Sequence, residues 1–93
     1  MQFEWDIEKA EANLKKHDVS FDEAKTVFDD PFYIDFYDDA HSAAEHRFLI
    51  VGESSSERFL IVSYTERDDK IRMISARELT SQERKDYEQY GNK

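Results

Sequence analysis

The sequence predicts one α+β domain in the order ααββββα: two N-terminal helices, a four-stranded antiparallel sheet and a short C-terminal helix. Three observations carry this. Two capping signatures open apolar runs at helical spacing before residue 30. Four runs rich in β-branched and aromatic residues follow, joined by linkers too short for crossover helices, which favours an antiparallel meander. A third capping signature stands near the C-terminus. Ninety-three residues without internal repeat, low-complexity tract or linker make a single domain, 1–93.

Asp6 is a natural N-cap, and Trp5 before it can pack on Ala10 as a hydrophobic staple. Ile7, Ala10 and Leu14 then recur at helical spacing, predicting a helix from about Asp6 to Lys16. Ser20 and Glu23 form a capping box, and Phe21, Ala24, Val27 and Phe28 form one apolar face. Pro31 stops that helix near Asp29. Phe32–Tyr37, His46–Gly52, Arg58–Thr65 and Lys70–Arg77 read as strands, the middle two joined through Glu53–Glu57 and the last two by a tight turn at Asp68-Asp69. Their centres are apolar at consecutive positions, which predicts a sheet covered on both faces in its middle. Leu79 to Glu83 combines staple and capping box and opens a helix carrying Tyr87 and Tyr90.

Composition excludes several classes. There is no cysteine, hence no disulfide, zinc-thiolate site or thiol nucleophile. No apolar run reaches the ~20 residues of a membrane helix, and the N-terminus lacks the basic and apolar regions of a signal peptide, so a cytoplasmic location is expected. The glycines are only Gly52 and Gly91, so no phosphate-cradling loop exists. The net charge of −9 falls entirely on residues 1–46, where thirteen acids face four lysines; residues 47–93 balance nine against nine and hold all six arginines. Such a chain lacks the broad basic patch of a non-specific nucleic-acid binder. A local arginine cluster can still hold one phosphate, and the acidic half suits a basic protein partner.

Asp38-x-x-His41 offers two metal ligands at a spacing common by chance, and reads first as a solvated loop. More suggestive is Tyr64-Thr-Glu-Arg67 followed by Arg72 and Ser75-Ala-Arg77, which gathers Glu66, Arg67, Arg72 and Arg77 on two adjacent strands. RNA cleavage without metal needs a base for the 2′-hydroxyl, an acid for the leaving 5′-oxygen and cations for the phosphorane. Ordinary cross-strand ion pairs have the same composition. Arg72 and Arg77 are five apart and point to opposite faces of a regular strand, so both serve one site only if a bulge intervenes; Ser75 and Arg77 share a face. Trp5 reads as a core anchor. Tyr33, Phe36 and Tyr37 have ring faces that can stack on bases, but read first as sheet core or partner interface.

The ordered blocks together resemble the BrnT family of bacterial type II toxins. They are Phe3-x-Trp5-Asp6-x-x-Lys9-x-x-x-Asn13-x-x-Lys16-His17; Val19-x-Phe21-x-x-Ala24-x-x-Val27-Phe28-x-Asp30-Pro31; Asp38-x-x-His41-Ser42; Glu45-x-Arg47; Ile50-x-Gly52; Tyr64-Thr65-Glu66-Arg67; Ile71-Arg72-x-Ile74-Ser75-Ala76-Arg77; and Glu83-Arg84-x-x-Tyr87, spanning about residues 3–87. The resemblance implies a RelE-like fold and a metal-independent, cofactor-free endoribonuclease that halts translation. It also implies a BrnA-like ribbon-helix-helix antitoxin that joins the toxin in a heterotetramer and carries the DNA binding. The matching positions for the active surface are Glu66, Arg67, Arg72 and Arg77, with His17 as a further catalytic candidate and Lys16 and Arg47 as RNA contacts. Glu66 or His17 is the expected base, with Arg67 and Arg77 as phosphate clamps. Asp18 departs from the family's glycine after Lys-His; it tolerates a positive φ better than most residues and sets a carboxylate beside His17. The alternative expectation is a non-catalytic homologue that binds an antitoxin and tunes repression of its operon.

Overall fold

The structure, a computed structural model, describes residues 1–91. Strand β1 (Gln2–Glu4) leads into helix α1 (Ile7–His17) and helix α2 (Phe21–Ala24), which tightens into a 3-10 segment at Lys25–Asp29. Then come β2 (Ile34–Tyr37), a 3-10 turn at Asp39–His41, β3 (Phe48–Glu53), β4 (Phe59–Arg67), β5 (Lys70–Glu78) and α3 (Ser81–Gly91). The sheet therefore has five strands, not the expected four, in the order β1-β5-β4-β3-β2. The last four strands form the antiparallel meander; β1 adds to the edge of β5 in parallel, making the sheet mixed. A three-residue strand has too short a pattern to announce itself. Its place is set by Phe3, whose ring meets Phe28 edge-on at 5.1 Å.

The expected caps form. Asp6 accepts from the amides of Glu8 and Lys9 at 2.8 and 3.3 Å. Ser20 Oγ accepts from the amide of Glu23 at 3.0 Å. Thr80 and Glu83 complete a reciprocal box at 2.9 and 3.1 Å. Asp18 ends α1 in the left-handed region at φ 57°, the conformation glycine serves elsewhere. Asp68 and Asp69 take φ 52° and 65°, the signature of a two-residue hairpin turn that matches strand twist. The second helix loses α geometry after Ala24, where Thr26 Oγ1 donates to the Glu23 carbonyl at 2.6 Å and competes with the helical ladder.

One sheet face packs on α1, α2 and the 3-10 segment around Val19, Phe21, Ala24, Val27, Ile50, Leu60, Val62, Tyr64, Met73 and Ala76. Burial pushes the Tyr64 phenol up to about 12. Trp5 packs against this core, edge-on to Phe21 at 5.9 Å. The face of α1 differs from the expected one: Ile7 and Leu14 are 70% and 49% exposed, and the buried residue is Asn13. Its amide nitrogen donates to the carbonyls of Val19 and Ala76, both at 2.9 Å, and its oxygen accepts from the amide of Ala76 at 3.0 Å. Asn13 thus bonds β5 as a neighbouring strand would, fixing α1 against it. The other sheet face carries α3 at one end only, where Tyr87 meets Phe59 at 5.6 Å and Arg84 stacks over Phe59 at 4.2 Å. Expected cover on both faces is therefore only partial.

Candidate active site

The open face is built from cross-strand rows. Ile34, Val51, Ile61 and Arg77 form one; Phe36, Leu49, Ser63 and Ser75 form the next; Thr65, Arg72 and Glu4 form a third. These rows align because β5 bulges. Ser63 pairs Ser75 but Tyr64 pairs Met73, so Ile74 is the extra residue. The bulge brings Arg72 and Arg77 to one face, meeting the condition their spacing imposed.

A cleft of about 390 Å³ opens beside this bulge, lined by His17, Asp38, His41, Arg47, Ser63, Ser75 and Arg77 over an apolar floor that includes Leu49 and Ile61. Four elements supply its groups, Ser63 coming from β4. Helix α1 delivers His17, one turn beyond the Asn13 latch. Strand β5 delivers Ser75 and Arg77. The loop before β3 delivers Asp38, His41 and Arg47, and its backbone closes on itself: the Asp38 amide donates to the Arg47 carbonyl at 2.9 Å. Ser42 Oγ donates to the Asp38 carbonyl at 2.6 Å and accepts from the Arg47 amide at 3.0 Å. Within this clasp His41 Nδ1 lies 2.9 Å from Asp38 Oδ2, a contact that fixes the ring and leaves Nε2 for proton transfer. Arg47 Nε is buried without a hydrogen-bond partner among the described residues, with Glu45 Oε1 3.7 Å away.

Arg77 is held from the side by α3. Its two terminal nitrogens bond the Glu83 carboxylate at 2.8 and 3.0 Å, a bidentate fork. That pairing, with the Thr80 amide, pulls the Glu83 carboxyl down to about 2.

Of the residues singled out from sequence, His17, Arg47 and Arg77 meet in this cleft. Arg72 shares the open face but is paired with Glu4 at 2.7 Å. Arg67, at the hairpin turn, pairs with Glu45 at 3.1 Å. Lys16 is exposed on α1 and does not line the cleft. Glu66 pairs Ile71 in the register of Phe3, which turns it to the helix-bearing face, away from Arg77. Asp38 and His41, weighed from sequence as metal ligands, bond each other, and no group of three or more metal-ligating side chains occurs among the described residues. Their place beside Arg47 and Arg77 depends on a loop closure that spacing does not reveal. No helix among the described residues is long and apolar enough to cross a membrane.

Comparison with known proteins gives the same frame. The fold is similar to the 1.1 Å crystal structure of the Brucella abortus ribonuclease toxin, BrnT, with a TM-score of 0.69 over 87% of this chain and 99% of that one, at 20% identity. Among curated proteins no sequence matches. The family model described as "Ribonuclease toxin, BrnT, of type II toxin-antitoxin system" matches residues 5–83. That span holds both histidines and both arginines of the cleft, and the chain belongs to the BrnT family of type II ribonuclease toxins.

Proposed function

We propose that this chain is a metal-independent endoribonuclease whose active site is the cleft on the open sheet face. The observation that carries the reading is the meeting there of two arginines with a histidine hydrogen-bonded to a carboxylate. Arg77 and Arg47 hold the scissile phosphate. His41, oriented by Asp38, takes the 2′-hydroxyl proton. The 2′-oxygen attacks phosphorus, the bond from phosphorus to the 5′-oxygen breaks, and His17 protonates that oxygen. The products are a 2′,3′-cyclic phosphate and a free 5′-hydroxyl. The guanidinium groups stabilise the charge that gathers on the phosphorane. Arg72, Arg67 and Lys16 serve flanking phosphates; no step is given to Glu66. The partner is a basic ribbon-helix-helix antitoxin of BrnA type, in a heterotetramer that binds DNA through the antitoxin, in the cytoplasm.

A second reading has its own support. Arg77 already holds a carboxylate, and the chain carries a net charge of −9, as a non-catalytic homologue that only binds its antitoxin would tolerate. One experiment separates them. The chain purified alone is incubated in EDTA with a long single-stranded RNA, beside Arg77→Ala and His41→Ala. Cleavage by the parent chain, lost in both variants while their circular dichroism is unchanged, is expected. An inert but folded parent chain favours the second reading.

A further inference from the structure

A second cavity adjoins the cleft on the same sheet face. It is a groove of about 400 Å³ between β2 and α3, lined by Ile34, Phe36, Val51, Ile61, Leu79, Tyr87 and Tyr90, with Asp35, Glu83 and Asp86 at its margin. Ile61 lines both cavities, and the Arg77–Glu83 fork joins them, Arg77 lining the cleft and Glu83 the groove. Phe36 and Tyr90 are 47% and 63% exposed, so they are not sheet core.

We propose that this groove is the nucleobase subsite of the ribonuclease, receiving the base next to the scissile phosphate and preferring guanine. The proposal rests on the ribonuclease reading of the cleft. Continuity supports the first part: a nucleotide whose phosphate meets Arg77 has apolar, aromatic-walled space beside it. Sequence-specific RNA recognition uses such space, with splayed bases stacking on aromatic rings and bonded along their Watson–Crick edges. The margin supports the second part. Carboxylates repel phosphate and accept from N–H groups, and guanine alone presents a ring N–H beside an exocyclic amino group that matches the two oxygens of a carboxylate. Glu83 faces Arg77, and Asp35 pairs the core residue Ile50 and so belongs to the helix-bearing face. This leaves Asp86 to read the base edge, its Oδ1 already accepting from Gln82 Nε2 at 3.0 Å and sharing its second lone pair with the base.

The test is nuclear magnetic resonance titration of the full chain with inorganic phosphate, guanosine 3′-monophosphate and uridine 3′-monophosphate. Phosphate should shift only cleft signals, from Arg47, Ser75 and Arg77. Guanosine 3′-monophosphate should shift these together with Ile34, Ile61 and Tyr87. Phe36→Ala should weaken the guanosine nucleotide about tenfold, in the range for loss of one base stack, and leave phosphate unchanged. Asp86→Asn should abolish the preference for guanosine over uridine. If the nucleotides shift no more signals than phosphate does, or if the groove responds only to an added antitoxin protein, the subsite is refuted while the cleft stands. If neither phosphate nor nucleotide shifts any cleft signal, the ribonuclease reading fails and the subsite with it.

Discussion

Replacing Asn13 with alanine tests how the site is held together. The Asn13 side chain makes three hydrogen bonds of 2.9, 2.9 and 3.0 Å, all buried, to groups with no other side of the molecule to turn to: the carbonyls of Val19 and Ala76 and the amide of Ala76. Val19 and Ala76 are 0% and 1% exposed. A net hydrogen bond is worth about 1 kcal/mol, and a buried group left unpaired costs about 1–3 kcal/mol. Three orphaned groups, partly relieved by water entering the vacated space, put the loss at roughly 3–5 kcal/mol. For a domain of this size that lowers Tm by at least about 12 °C. Urea unfolding followed by the fluorescence of Trp5, which packs on Phe21, measures it. Asn13→Asp should be no milder: it keeps the acceptor for the Ala76 amide but sets an oxygen against two carbonyl oxygens. The same latch joins α1, which carries His17, to β5, which carries Arg77. RNA cleavage by Asn13→Ala should therefore fall further than its folded fraction. A loss below about 1 kcal/mol would show that the bulged strand holds its place without the latch.

Three further predictions concern single contacts. Glu83→Gln keeps an acceptor for the Thr80 amide but loses the charge facing Arg77. Because Glu83 is depressed from 4.5 to about 2, its stabilisation is complete above pH 4.5 and fades as pH falls toward 2. The urea midpoint of the parent chain should drop more between pH 5 and 3 than that of the variant, and parallel curves would deny the pair any role in stability. Gly52→Ala sets a methyl 2.9 Å from Asp30 Oδ2, 3.1 Å from Val27 Cγ1 and 3.3 Å from Tyr33 Cβ. It should cost about 1–3 kcal/mol in thermal or urea unfolding. Arg58→Met leaves Glu23, whose side chain is only 12% exposed, without its ion-pair partner, at a cost of about 3 kcal/mol near pH 7. Arg58 holds the Glu23 carboxyl below 4.5, so the gap between parent and variant should close as pH falls below that value.

Local chemistry was the legible part of the sequence. Asp6, Ser20 and Thr80 announce helix starts because a cap needs only a side-chain oxygen and the next few amides. The Asp68-Asp69 turn is legible for the same reason: four residues decide it. What depends on distant partners was hidden. Strand β1 exists because β5 has a free edge and Phe28 offers a place for Phe3. The buried side of α1 follows Asn13, because three unpaired backbone groups outweigh two aliphatic side chains that water can reach. The candidate site divides along the same line. Arg77 and His17 were named from pattern and resemblance. That Arg72 shares the face of Arg77 required a bulge at Ile74. That His41 joins them required the Ser42 clasp. Nothing in the composition of a β-strand forecasts either.

The acidic character of the chain then takes on a specific meaning. Five of the six arginines have a carboxylate partner: Arg58 with Glu23, Arg67 with Glu45, Arg72 with Glu4, Arg77 with Glu83 and Arg84 with Glu88. Among the described residues only Arg47 has its nearest carboxylate, that of Glu45, beyond hydrogen-bond distance, at 3.7 Å. A phosphate entering the cleft must therefore exchange with a carboxylate at Arg77 rather than meet a bare cation. The fork that grips Glu83 has the geometry that grips phosphate. Exchange of one anion for another at the same guanidinium is nearly balanced, so affinity at Arg77 is set by what else the incoming molecule gains. Inorganic phosphate gains little. On the ribonuclease reading, a nucleotide that also fills the groove against Tyr87 and Tyr90 gains base contacts that phosphate lacks, and these add to its affinity. On that reading the carboxylate at Arg77 therefore favours a nucleotide over inorganic phosphate: phosphate binds the cleft, but more weakly than a molecule that also fills the groove.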